Sequence, residues 1–285
     1  MLLGLTAAAL LAGAAPPAED MFAYRRSRGD AAVAAEIETL ERGIDRHAPD
    51  AVQASRLARL ALALEARSNV AYRTSMRRVE RERRRLAALQ RRLIEGPYET
   101  EWLNSRWLNS AASTRDERAR QLFRRTFADQ FHEEISLEGA EARALRYLLA
   151  VDEARSIREN AEWLKSVLAE IGWFDIRIYG EEASQAAWLL IQHADHDPAW
   201  QRSMLAVLEP KVSNGDFQGR YFAYLSDRIA MNSSSPQRFG TQGRCVGPGD
   251  WQPFTVAEPS AALDARRQAV GLEPIGEYRA RFRCP

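Results

Sequence analysis

Helical periodicity between residues 30 and 172 limits the fold of this chain more than any other feature of its sequence. Nearly every segment of that range repeats apolar residues at intervals of three or four, which is typical of amphipathic helices. Segment 72–95 is the longest example, and its apolar residues are Val79, Leu86, Leu89 and Leu93. Because little of the chain has strand periodicity, we predict a mainly α-helical protein.

The part of the chain after residue 172 is less regular. Residues 174–179, FDIRIY, alternate apolar and polar side chains and predict one short β-strand. Residues 232–254 contain four glycines and three prolines, which predict a long loop. We therefore predict a helical N-terminal region over 16–150 and a C-terminal helical domain over 151–285, the latter with one strand element and a loop-rich tail.

The N-terminus has the composition of a targeting segment. Residues 2–15 are almost entirely apolar and end in the Ala-x-Ala pattern of residues 12–14, although no Lys or Arg precedes them. The apolar run is shorter than the ~18 residues that span a bilayer. We therefore predict a signal peptide over residues 1–15, a periplasmic or secreted location, and no integral membrane segment.

The chain contains two cysteines, Cys245 and Cys284. In an oxidising compartment an even pair predicts a disulfide, which would join the C-terminal tail to the loop after Thr241. Two free buried thiols are the alternative.

The long helix of segment 72–95 is rich in arginine. Nine arginines and two glutamates lie between residues 72 and 92, whereas the whole chain has a net charge of only +1. That overall charge gives no reason to expect nucleic acid as a partner, but the helix could bind an anionic envelope component. The arginines proposed for this contact are Arg77, Arg78, Arg81, Arg84 and Arg85. The alternative, which is commoner for charge runs, is a solvated face paired with acidic helices.

The stretch QHADHDPAWQ, residues 192–201, contains two histidines and two aspartates. Asp197 followed by Pro198 is typical of a helix start, because Asp accepts hydrogen bonds from free backbone N–H groups and Pro lacks one. His193 falls in the last turn of the preceding helix, where an imidazolium suits the helix dipole. Asp195 and His196 have no evident structural role in this pattern.

A metal site is an alternative interpretation of the same stretch. The suitable ligands are His193, Asp195, His196 and Asp197. The His-Asp doublet at 196–197 resembles that of helical metal-dependent phosphohydrolases, with Asp227 as the later carboxylate and His132 or His47 as the upstream histidine. Residues so close in a turn seldom all reach one ion, and no HExxH or CxxC motif is present. We predict neither a metal nor a cofactor.

Several spaced motifs carry a family resemblance over residues 152–278. They are Asp152, the Gly-Trp pair at 172–173, GEEASQAAWLLIQHADHDPAWQ at 180–201, YLSDR at 224–228, PQRFGTQ at 236–242 and ARRQAVGLEPIGEY at 265–278. Together they resemble a family of bacterial proteins known only as a domain of unknown function. Phe174 and Phe239 stand where that family commonly has proline and tyrosine.

The resemblance implies no activity, but it groups polar residues into one candidate site. Those residues are Gln192, His193, Asp195, Asp227, Arg228, Gln237, Thr241 and Gln242. As an enzyme, the protein would be a hydrolase of an envelope component. His193 would act as general base on water, Asp195 or Asp227 would orient it, and Arg228 would stabilise negative charge.

The competing hypothesis is a binding or scaffolding protein without catalysis. The same polar groups would then form a network that orders the tail, with Asp227 and Arg228 as an ion pair. Gln192, Gln237, Thr241 and Gln242 are the candidate ligand-binding residues in either case. We favour this second hypothesis, because buried polar groups must find partners in any fold.

Overall fold

The computed structural model describes residues 21–45, 47–97, 105–131 and 135–285. Over these residues the protein is mainly α-helical, and one two-stranded antiparallel sheet accompanies the helices. The predicted signal peptide and His132 lie outside the described residues. Among the helices that are described, none is both long and apolar enough to cross a bilayer.

The chain forms two compact units. The first comprises the described residues of Met1–Leu89 and His132–Ala154, and the second those of Gln90–Phe131 and Arg155–Pro285. The helices of the first unit are α1 (Met21–Arg28), α2 (Asp30–Arg42), α3 (Ala51–Glu65), most of α4 (Asn69–Glu95) and the start of α7 (Gly139–Ile171). Residues 90–131 therefore group with the C-terminal part, and the predicted domain division near residue 150 stays a prediction.

The second unit contains the remaining elements. They are α5 (Arg106–Ser113), α6 (Glu117–Gln130), α8 (Ile176–His193), α9 (Pro198–Ser213), α10 (Gly219–Asn232), β1 (Gly243–Gly247), β2 (Asp250–Pro253), α11 (Leu263–Ala269) and α12 (Ile275–Arg279). A 3-10 turn at Ser260–Ala262 leads into α11. This unit carries the predicted polar site.

The core of the first unit is built on α3. This helix is apolar on nearly every side, and residues 57–63 are buried except for the half-buried Arg59. Asp50 starts the helix by accepting a hydrogen bond from the N–H of Gln53 at 2.7 Å. Because a helix without a polar face must be covered all round, α1 and α2 pack against it.

The core of the second unit gathers α6, α8, α9 and α10 around large apolar side chains. Its fully or nearly fully buried members include Leu122, Trp173, Phe174, Ile191, Leu208 and Leu225. Trp173 meets Phe217 edge to face, with ring centroids 5.4 Å apart. The C-terminal halves of α8 and α10 carry several polar residues of the candidate site.

The predicted strand at residues 174–179 is wrong. Ile176–Tyr179 form the first turn of α8, and Gly180 then interrupts the helix with a φ of +83°. The alternation did not produce one apolar face, because Phe174 is buried whereas Ile178 is exposed. Six residues are too few to distinguish a strand from a single helical turn by periodicity.

The two strands lie instead in the predicted loop. β1 pairs antiparallel with β2, and a Cβ atom on Gly243 would lie 2.3 Å from the carbonyl oxygen of Gln252. The predicted disulfide between Cys245 and Cys284 is confirmed, and it joins β1 to the end of the chain. Trp251 of β2 stacks on Phe282 with centroids 4.4 Å apart, so β2 also contacts the C-terminal residues.

Candidate functional site

The turn between α8 and α9 has the predicted helix start. The Asp197 carboxylate accepts a hydrogen bond from the N–H of Trp200 at 3.0 Å, and Pro198 is the first helical residue. Lys165 donates to the other carboxylate oxygen at 2.8 Å. The Lys165 hydrogen bond, followed by that of the Trp200 N–H, lowers the pKa of the Asp197 carboxyl below its usual range. Asp197 is therefore a capping residue.

His193 ends α8 as predicted, but its partner is a residue that the sequence did not indicate. Its Nδ1 lies 2.6 Å from Oδ2 of Asp129 on α6. The Asp129 side chain is only 5% exposed, whereas the imidazole is 34% exposed. Among the described residues, Nε2 of His193 has no hydrogen-bond partner. The carboxylate therefore fixes the ring and leaves its outer nitrogen accessible.

Helical spacing alone places Asp129 on a buried face of α6, although it does not identify His193 as its partner. Asp129 follows Leu122 by seven residues and Thr126 by three, so it lies on the face of α6 that those two buried residues define. A carboxylate on a buried face must have a partner.

Arg228 pairs with Asp195. Nε lies 2.9 Å from Oδ1 and 3.1 Å from Oδ2, and Nη2 reaches Oδ2 as well. Asn232 and Gln201 donate to the same carboxylate at 2.8 and 3.2 Å. The Asp195 side chain is 2% exposed, so these donors replace the water that burial removed.

Asp227 does not pair with Arg228, contrary to the structural hypothesis. Its Oδ1 accepts the N–H groups of Arg238 and Phe239 at 2.9 and 3.0 Å, and its Oδ2 accepts that of Thr241 at 2.7 Å. The side chain is fully buried. Burial raises the pKa of the Asp227 carboxyl, and the three N–H bonds oppose that rise because they favour the carboxylate.

The loop that Asp227 holds is also bonded to itself. Gln237 donates to the carbonyl of Gln242 at 2.8 Å and accepts the Gln242 N–H at 2.8 Å. Gly240 has a φ of +67°, which a residue with a side chain would adopt only at a cost. The Tyr278 hydroxyl donates to the carbonyl of Thr241 at 3.0 Å. The predicted ligand-binding groups of this loop are thus largely occupied within the protein.

A buried arginine completes the network, and the sequence reasoning missed it. Arg267 on α11 is fully buried and donates to the carbonyls of Phe239 and Glu273, both at 2.7 Å. Burial lowers the pKa of its guanidinium. Arg267 follows Leu263 by four residues, and both are buried on one face of α11. The signal in the sequence that could have identified Arg267 was its position on the same helical face as the apolar Leu263.

Gln192, the remaining candidate, lies apart from the loop network. It is buried on α8, and its Oε1 has no hydrogen-bond partner within the described residues. Trp188, one turn earlier, stacks on Tyr221 of α10 with centroids 4.4 Å apart.

Among the described residues, the predicted site coincides neither with a possible metal centre nor with the cavity beside α5 and α6. Within the described ranges, no three His, Cys, Asp or Glu side chains group in a way that could hold a metal ion. A cavity of about 550 Å³ lies elsewhere, lined by residues of α5, α6 and the start of α8, including Ser110, Asp116 and Tyr179. None of the predicted site residues lines it.

A family profile described as a family of unknown function, DUF6624, matches residues 120–283. That match includes the predicted span 152–278 and begins early enough to include Asp129. Comparisons with curated proteins and with solved structures gave no match. Because the profile covers more than half of the 285 residues, the chain belongs to this family of unknown function.

Proposed function

We propose that this chain is an exported binding or scaffolding protein, in which the polar residues of the second unit form a structural network. The apolar run at residues 2–15 and the disulfide support export. The observation that carries the structural role is the Asp227 carboxylate, which is fully buried and accepts three backbone N–H groups of one loop.

The contacts of the charged groups Asp227 and Arg228 support the same proposal. A general base or charge stabiliser must reach the reacting atoms. Asp227 could do so only if the loop opened, because its oxygens are bound to backbone. Arg228 is held along its edge by Asp195, whose negative charge offsets its own.

The proposed partner is an anionic component of the envelope, bound through α4. Arg77, Arg81 and Arg84 are exposed and have no acidic partner among the described residues. The other two arginines that the sequence suggested for this contact have acidic partners instead. Arg78 lies 3.6 Å from Glu141, and Arg85 pairs with Glu82 at 2.9 Å.

Replacing His193 by Ala tests the structural role. Because Asp129 would remain buried without its partner, we expect the midpoint of chemical denaturation to fall. His196→Ala is the matched control, since His196 has no comparably close carboxylate partner among the described residues, and we expect a smaller change. A His193→Ala protein of unchanged stability that lost binding to the envelope fraction would overturn the structural account.

Hydrolysis of an envelope component is a second candidate function, and one observation favours it. His193 is held through Nδ1 by a buried carboxylate while Nε2 stays accessible, which is the arrangement of a general base for water. Asp129, rather than Asp195 or Asp227, would then orient the imidazole. Arg228 would have to leave Asp195 to stabilise charge, which weighs against this candidate.

Turnover measurements decide between the two functions. The full chain would be incubated with chromogenic esters, phosphates and glycosides and with a cell-envelope fraction. Hydrolysis that falls at least ~100-fold in His193→Gln and Asp129→Asn, but not in His196→Gln, would establish the enzyme. Turnover that is absent, or is equal in all variants, supports the binding protein.

A further inference from the structure

One face of α4 presents an uninterrupted exposed row of side chains. Its members are Val70, Arg73, Arg77, Arg81 and Arg84, all exposed. Their spacings of three, four, four and three residues keep them within ~80° of one another around the helix axis. The row is ~21 Å long at the rise of an α-helix. We call these five residues the α4 row.

The α4 row carries positive charge without an acidic partner in the described part of the chain. None of its four arginines forms an ion pair with a described residue, and the contact of Arg77 with Thr74 is to a neutral hydroxyl. Arginines on the flanks of the same helix behave differently. Their ion pairs are Arg78–Glu141, Arg83–Asp152 and Arg85–Glu82. The sequence-based set of five arginines therefore combined two kinds of residue.

The α4 row also contains an apolar residue, which bears on the kind of partner. Val70 is 74% exposed and follows the same face as Arg77, two turns away. A valine gains by entering the apolar boundary of a lipid bilayer and gains little beside a hydrated polyanion. The row contains no aromatic side chain on which nucleic-acid bases could stack.

We propose that the α4 row docks this protein onto an anionic phospholipid surface, with its four guanidiniums among the headgroups and Val70 at the edge of the hydrocarbon. The proposal rests on the proposed function only in taking the partner to be anionic. Because the five residues share one face of the helix, a planar surface can contact the whole row at once. Such attachment is peripheral and weakens as salt screens charge over a Debye length of ~8 Å.

Vesicle co-sedimentation of the full chain tests the proposal. We expect binding to phosphatidylcholine vesicles that contain about one third phosphatidylglycerol, and not to pure phosphatidylcholine vesicles. Arg77→Gln/Arg81→Gln should weaken that binding about 30-fold. The matched control, Arg78→Gln/Arg85→Gln, removes the same charge from the flanks and should stay within about threefold of wild type.

A second variant distinguishes lipid from a soluble polyanion. Val70→Ser should weaken vesicle binding about threefold and leave binding to inorganic polyphosphate unchanged. Equal loss in the row and flank variants overturns the α4 row as the docking face. Binding to polyphosphate or duplex DNA without binding to vesicles overturns the lipid proposal and leaves the anionic partner standing. Absence of binding to all of these probes contradicts both.

Discussion

Two buried charges of opposite sign hold the same loop segment. Asp227 accepts the N–H of Phe239, while Arg267 donates to its carbonyl. Neither charge has a water shell, so each depends on the peptide groups between them. Removing either charge would leave the other beside the shared peptide groups without its counterpart, so we expect this loop to be sensitive to substitution of Asp227 or Arg267.

Replacement of Asp227 by Asn should therefore be strongly destabilising. An amide has a single acceptor oxygen and places an NH₂ group where a backbone N–H points, so at least one of three buried donors is left unsatisfied. We expect a loss of about 2–4 kcal/mol in the free energy of unfolding, measured by chemical denaturation. Asp250→Asn, at an exposed ion pair with Arg279, should leave the midpoint unchanged. Equal effects of the two substitutions would refute the network.

Residues 192–201 show which parts of the site can be predicted from the sequence. The cap at Asp197 was predictable because its backbone partner, the N–H of Trp200, lies only three residues later in the chain. The partner of His193 lies 64 residues earlier on another helix, and that of Phe239 lies 28 residues later. Such pairings depend on how helices pack, which local patterns do not encode.

At the scale of elements, α8 and α9 meet in a turn that is tied to a third helix. Asp197 caps α9 and binds Lys165 of α7 through its second oxygen. The long helix α4 was predictable because its apolar residues recur at helical spacing over several turns. The start of α8 was not, since a single turn between Asp175 and Gly180 contains too few residues to reveal a period.

The cap at Asp197 should contribute stability that depends on pH. Since hydrogen bonds lower its pKa in the folded protein, its contribution is complete above the unfolded value of about 3.9 and is lost as pH falls through the folded pKa. We expect Asp197→Ala to cost about 1 kcal/mol at pH 7. Denaturation at a series of pH values should show the difference from wild type shrinking below pH ~4. A difference that grows with acid would contradict this assignment.

The disulfide acts on the element formed by β1 and the end of the chain. It closes a sequence separation of 39 residues, which corresponds to about 4 kcal/mol of restricted unfolded-chain entropy. We expect dithiothreitol, or Cys245→Ser/Cys284→Ser, to lower the free energy of unfolding by up to that amount. Because the chain has only these two cysteines, reductant should leave the unfolding of the double serine variant unaffected. Unchanged stability on reduction would show that packing of Trp251 on Phe282 suffices.

At the scale of the whole molecule, the family match and the proposed docking face occupy different parts of the chain. The match covers residues 120–283, whereas the α4 row ends at Arg84. Each of the two compact units also has its own hydrophobic core. The family segment thus carries the loop network, and a preceding part of the chain carries the proposed contact with lipid.

Acid should destabilise the protein as a whole. Ion pairs lower the pKa of several carboxyls in the folded state, among them Asp30 beside Arg25, Glu82 beside Arg85 and Asp216 beside Arg177. Each contributes stability that is complete above its unfolded pKa, near 4, and that is lost as pH falls through its folded pKa. The contribution of Asp227 to the pH dependence of stability has the opposite sign. Because its pKa is raised in the folded protein, protonation of Asp227 at low pH favours the folded state.

The lowered carboxyls outnumber Asp227, so we expect the melting temperature to be level between pH ~8 and ~5 and to fall below pH ~4. Differential scanning calorimetry across that range measures it. Arg177→Gln releases Asp216 and should flatten the acid limb, whereas Arg202→Gln, at an exposed arginine with no ion pair to a described residue, should not. A melting temperature that rose below pH 4 would mean that proton uptake by Asp227 outweighs the loss of these ion pairs.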